Sequence, residues 1–231
     1  MDYKKILLIA TFFFDLHSFM VFHDFLAKLH NFDVLKDNII EETDKKELQD
    51  LYWIEDVDIH NDRKIEFYIS PLSFVASRFA SHPTLLKLVL QRFREKNIFP
   101  DASTLSAVLN PLKSHDGKFS LDSVKMVTQD RLISINDLTD YYAKCGTPLY
   151  HLVRYATKQR DTHNQNILKS FEHLCLNGAC YDFDDQSTDF FEILETKKPE
   201  LARKFYAILS TYHAGEARRL MEEICSEKNL R

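Results

Sequence analysis

A short motif returns four times, in the same order, along this 231-residue chain, and a period of that kind decides the architecture before any single residue does. Ser70-Pro71-Leu72-Ser73-Phe74-Val75-Ala76 is echoed by Ser103-Thr104-Leu105-Ser106-Ala107-Val108-Leu109 and by Thr147-Pro148-Leu149-Tyr150-His151-Leu152-Val153. A fainter copy follows in Thr188-Asp189-Phe190-Phe191-Glu192-Ile193-Leu194. The first residues of the four copies stand 33, 44 and 41 apart. After the first three motifs comes a second apolar stretch of helical spacing, in Leu85 to Leu90, Ser123 to Val127 and Ile167 to Leu174, and then a polar, aspartate-bearing connector. Composition points the same way. Only 4 Gly stand beside 18 Phe and 10 Tyr, which leaves little material for the φ > 0 turns of an all-β sandwich or for glycine-rich phosphate loops.

The motif has a physical logic. A Ser or Thr hydroxyl caps a helix, Pro at the first helical position needs no N–H partner, and Leu packs between neighbouring helix pairs. At these residues the chain resembles the ankyrin repeat, whose period is 33 and whose first helix opens T-P-L-H-x-A. Thr147-Pro148-Leu149 matches that opening, and Leu174-Cys175-Leu176-Asn177-Gly178-Ala179-Cys180-Tyr181-Asp182 matches the repeat's close, where Gly178 would supply the left-handed residue that ends the second helix. Tyr150 takes the place of the usual histidine, with His151 one position later. The longer periods imply insertions at about Ser114 to Ser120 and Lys158 to Asn164, between the helices of their pairs. The resemblance implies an all-α fold: an ankyrin-like helical repeat solenoid with helical caps and short finger hairpins. It divides the chain into an N-terminal helical cap over 1–43, repeats over 44–210 and a C-terminal capping helix over 211–231.

Around this frame, Tyr3 to Phe32 carries apolar residues at helical steps, and Asp44 with Glu47 predicts a capped helix from Lys45 to Trp53. Val57 to Ile69 has two alternating stretches about a polar Asn61-Asp62 turn, which predicts a projecting hairpin. The apolar run Ile6 to Phe14 follows Lys4 and Lys5 as in a signal peptide, but Asp15 and His17 follow at once, so a first helix is expected. The run is too short to cross a bilayer, and no membrane insertion is expected. The net charge of −5 and the lack of a dense Lys/Arg cluster argue against nucleic acid as a ligand. Cys145, Cys175, Cys180 and Cys225 form no C-x-x-C pair, so a reducing, cytoplasmic compartment is expected.

No cofactor, metal or catalytic residue is expected. His17, His23 and His30 lie six and seven apart, off the i, i+3 or i+4 spacing of a helical zinc pair. His163, His173, Cys175 and Cys180 form the densest Cys/His group, and the repeat's own close accounts for the two cysteines. Cys145 near His151 and Asp140 could supply a nucleophile, base and orienter, so a cysteine-dependent hydrolase or transferase stands as the alternative. No P-loop or G-x-S-x-G motif is present.

In ankyrin proteins the finger connectors and first helices form the surface that partners use. Here the fingers at 55–69, 96–102, 130–144 and 181–187 total −7 in a chain of −5, so negative charge is concentrated in them. Their candidate contact residues are Asp56, Asp58, His60, Asp62, Tyr68, Phe99, Asp101, Asp137, Asp140, Tyr141, Tyr142, Tyr181, Asp182, Asp184 and Asp185. Aromatic side chains of this kind are enriched at binding hot spots. Two readings of the aspartates stand: turn formers, or a surface for a basic segment of another protein. The expected function is a protein–protein interaction module, an effector or adaptor like those of intracellular bacteria or viruses, acting in a cytoplasm that it reaches after secretion into a host cell. A self-associating helical protein is the third reading, and the oligomeric state is left open.

Overall fold

Helix starts organise the chain. Ser70 caps α1 (Pro71–Arg78), its Oγ accepting from the Ser73 N–H at 3.2 Å, with Pro71 at the first helical position. Thr147 does the same for α5 (Pro148–Lys158), and Asp189 caps α7 (Phe190–Lys197) by accepting from the Phe191 N–H at 2.8 Å. The cap of α3 (Ala102–Leu109) is Asp101, in a capping box with Thr104, not Ser103 as the motif suggested. That helix begins two residues earlier in the motif because an aspartate stands ready there and no proline marks the start. Each capping side chain of this kind stabilises by roughly 1 kcal/mol.

The computed structural model describes residues 51–57, 64–112, 118–129, 133–141, 144–159, 164–184 and 188–213, together with Lys46, Gln49 and Gly215, and only the backbone of 52–57, 64–66 and 164. The expected terminal helices Tyr3 to Phe32 and Ala214 to Ser226 lie outside these residues, apart from Gly215. Trp53, expected to close a helix, instead lies in β1 (Tyr52–Val57), which pairs antiparallel with β2 (Lys64–Ile69) in the register Tyr52 to Ile69 and Val57 to Lys64. The hairpin of the sequence reading is present, and its first strand begins five residues earlier. Lys46 and Gln49 are helical, in line with the capping signal at Asp44, and the β-prone run Tyr52-Trp53-Ile54 then takes the chain into β1.

The remaining helices are α2 (Pro83–Glu95), α4 (Leu121–Thr128), α6 (Asn164–Leu176) and α8 (Pro199–Tyr212), which makes the described chain mostly helical. Consecutive helices pack as pairs. The first members also pack in succession, α1 on α3, α3 on α5 and α5 on α7, and so do the second members, α2 on α4, α4 on α6 and α6 on α8. The result is two layers with the apolar core between and within them, from Leu72, Val75 and Phe93 through Leu105 and Leu149 to Phe171, Phe191 and Phe205.

Two of the second helices end alike. Gly178 has φ +84°, its N–H donates to the Cys175 carbonyl, and the Ala179 N–H donates to that of Leu174. Asn97 has φ +56°, with the same two bonds from Asn97 to Arg94 and from Ile98 to Phe93. Asparagine is the residue after glycine that best tolerates the left-handed region, so the close of the first pair is the same device in different chemistry. On α8 the exposed positions Glu200, Arg203, Lys204, Ala207 and Ser210 form one polar stripe, opposite buried Leu201, Phe205 and Leu209. No helix among the described residues is long and apolar enough to cross a membrane.

Candidate binding surface

The connectors between pairs are held down by their own aromatic residues. Tyr141 and Tyr181, which the sequence places among the partner contacts, are fully buried and belong to the core. Tyr141 donates its hydroxyl to the Asn110 carbonyl at 3.2 Å and meets the Phe67 ring edge-on at 5.6 Å. Tyr181 donates to Asp189 Oδ1 at 2.8 Å and accepts from the Phe190 N–H at 3.1 Å, so it completes the cap of α7. Burial, reinforced by the Asp189 carboxylate, holds its phenol well above the usual tyrosine range. One connector folds back on the end of α3, where Asn110 is the C-cap, and the other on the start of α7, and each ring goes with its connector.

Behind them, α5 carries the heaviest side chains. Tyr150 lays its ring where a Cβ on Gly146 would come within 2.2 Å of it, stacks on Phe183 at 5.3 Å and donates its hydroxyl to the Thr188 carbonyl. His151 Nε2 faces both the hydroxyl and the carbonyl of Thr139 at 3.3 Å, and Thr139 Oγ1 lies 3.1 Å from Ser106 Oγ on α3. Its Nδ1 is buried without a hydrogen-bond partner among the described residues. Burial first, then the Arg154 charge, lowers His151 to about 3, so the ring is neutral.

Thr147 links two connectors. Its hydroxyl donates to the Cys180 carbonyl at 2.8 Å and accepts from the Asp182 N–H at 3.2 Å, and its own N–H donates to the Asp182 carbonyl. The two-residue strands β3 (Thr139–Asp140) and β4 (Cys145–Gly146) pair, Gly146 bridges to Phe183, and the Asp184 N–H donates to the Cys145 carbonyl. Asn136 completes the join: its side-chain amide donates to the Gly178 carbonyl and accepts from the Cys180 N–H.

This arrangement sets Cys145 between acidic neighbours. Burial raises its thiol pKa, and the carboxylates of Asp140 and Asp184 raise it further. A nucleophilic cysteine needs the opposite environment, an adjacent cation or helix N-terminus. His151 turns its Nε2 to Thr139. In the Cys/His group, His173 Nε2 lies 2.8 Å from Thr128 Oγ1, Cys175 is buried with its carbonyl bonded to His213, and His163 lies outside the described residues. No three His, Cys, Asp or Glu among the described residues gather as metal ligands.

What reaches the surface is narrower than the sequence suggested. Asp101, Asp137, Asp140, Asp182 and Asp184 are exposed, as are Tyr68 at 59% and Phe99 at 42%. Asp58, His60, Asp62, Tyr142 and Asp185 lie outside the described residues, and of Asp56 only the backbone in β1 is described. The first helices offer little surface: every residue from Pro148 to Thr157 is buried, and so is all of α3 except Ser103. They are flanked by two like helices and by their own partners, so the contribution to a partner surface that the resemblance implied does not come from α3 or α5. Leu138, 51% exposed, stands among the exposed residues although it is neither one of the candidate aspartates nor an aromatic. Its signal was a lone leucine in the polar stretch Asn136-Asp137-Leu138-Thr139-Asp140.

Compared with known proteins, the chain matches no family model, no curated protein and no solved structure.

Proposed function

We propose that this chain is a non-catalytic protein-interaction module built on an ankyrin-like stack, an effector or adaptor working in a reducing cytoplasm. The observation that supports it best is the succession of helix pairs whose first and second members each pack in order, α1 to α7 and α2 to α8, with exposed acidic and apolar residues left on the connectors. In a stack each pair touches its neighbours, and the connectors form one continuous edge. The contact surface is the connector edge rather than the first helices. The cysteine-enzyme alternative has no supporting observation, because acidic neighbours disarm the Cys145 thiol.

The test is capture from a cytosolic extract by the full chain beside a variant carrying Asp137→Lys, Asp140→Lys, Asp182→Lys and Asp184→Lys, with helix content checked by circular dichroism. Retention of a defined protein by the first and its loss from the second is the expected outcome. An identical catch from both would sink the connector surface as the site of interaction.

A further inference from the structure

Three connectors each present one large apolar side chain to solvent: Tyr68 at 59%, Phe99 at 42% and Leu138 at 51%. Burying a side chain of this size against a partner is favourable by about 1.5–3 kcal/mol. Tyr68 and Phe99 occupy equivalent places, two residues ahead of the caps Ser70 and Asp101. Leu138 immediately precedes Thr139, whose hydroxyl lies against Ser106 of α3, and Tyr141 of the same connector packs on Phe67, the neighbour of Tyr68. The three therefore belong to successive connectors anchored to successive pairs.

Spacing and charge then specify an occupant. Packed helices lie about 8–10 Å apart, so equivalent points on neighbouring pairs recur at roughly that interval. An extended chain in the polyproline II form rises about 3.1 Å per residue with three residues per turn, so every third side chain faces the same way and recurs at roughly that interval. Exposed Asp101 follows Phe99 by two residues, and exposed Asp137 and Asp140 stand on either side of Leu138 in the sequence.

On the reading above as an interaction module, we infer that the edge formed by Tyr68, Phe99 and Leu138 binds an extended basic segment of another protein, with an apolar residue at every third position and Lys or Arg between. The apolar residues seat beside the tips, and the cations face the aspartates. Charge raises the encounter rate and makes binding salt-dependent, while the tips set the spacing.

The probe is a fluorescent synthetic peptide with leucine at every third position and lysine between, beside a peptide of the same composition with the leucines at every second position. Binding to the full chain is followed by anisotropy. The spaced peptide is expected to bind at least tenfold more tightly than its isomer, and to weaken as salt rises. Asp137→Lys with Asp140→Lys, and separately Tyr68→Ser with Leu138→Ser, are each expected to lower its affinity at least tenfold at unchanged helix content. Both sets of positions are exposed, and the salt series and the isomer comparison need no variant. Equal affinity for the two peptides, or binding indifferent to both variants, overturns the inference. If neither peptide binds while capture of a partner still depends on the connectors, the extended basic segment is wrong and the interaction reading stands.

Discussion

The front and back of the stack join their helix pairs by different means. Between α1 and α3 the joint is made of small hydroxyls: Ser73 Oγ lies 3.4 Å from Ser103 and 3.3 Å from Thr104, and Ser77 Oγ accepts from the Leu112 N–H at 2.8 Å. Between α5 and α7 the joint runs through connectors and rings, by Thr147 to Cys180 and Asp182, Gly146 to Phe183, and Tyr150 to Thr188. Helix composition explains the difference. The α1 sequence PLSFVASR and the α3 sequence ASTLSAVL are rich in Ser and Ala, whose short side chains leave room for direct contact, whereas α5 carries Tyr150, His151, Arg154 and Tyr155. Bulk adds connector bonds and ring contacts to the packing of helix on helix, as where Tyr150 and Arg154 of α5 meet Phe190 of α7.

The largest expected effect is at the back. Tyr150→Ala removes the ring that meets Phe183, Phe190 and Tyr181, and should cost about 3–5 kcal/mol in denaturant unfolding. A smaller loss would mean that the ring is not the keystone of that joint. Acid comes next. His151 titrates at about 3 when folded and near 6.5 when unfolded, so the unfolded chain binds the extra proton between those values. Stability contributed by the neutral ring is complete above pH 6.5 and declines as pH falls toward 3, by about 3 kcal/mol at pH 4. His151→Gln should flatten that slope in urea melts between pH 7 and pH 4. An unchanged slope would assign the acid sensitivity elsewhere.

Gly146→Ala should cost roughly 1–3 kcal/mol through the clash with the Tyr150 ring, and much less in a Tyr150→Ala background. Additive losses would break the pairing of those two residues. Next, Thr147→Ala should cost about 2 kcal/mol and Ser70→Ala about 1, because Thr147 caps a helix and links two connectors. Equal losses would erase the contrast between front and back at the level of caps. The smallest effect is kinetic: a thiol reagent at neutral pH should label Cys145 a few-fold more slowly than free cysteine, and Asp140→Asn should speed it.

Much of the fold was legible where one residue type does one job. Pro71 and Pro148 mark helix starts because their missing N–H has no consequence there, and Gly178 marks a close because few other residues tolerate its φ. Legibility failed where several residue types serve. Asp101 and Ser103 are both good caps, and the sequence could not choose between them; Asn97 did the work of a glycine unnoticed. Of the candidate surface, the exposed aspartates and Phe99 were visible, but Tyr141 and Tyr181 were misplaced. A tyrosine beside an aspartate reads as surface, and only the tertiary return of the connector onto Asn110 or Asp189 brings it inside.

Helix pairs that pack in succession can in principle go on adding, since any pair that exposes an apolar flank can recruit another, from its own chain or from a second one. The polar stripe of α8, with Glu200, Arg203 and Lys204 outward, offers no such flank at those positions. A copy arriving on that stripe would have to strip water from three charges. Another side of α8 shows the opposite case, for there Phe205 stacks on Phe171 of α6 at 4.0 Å: the side chain presented decides whether another layer adds.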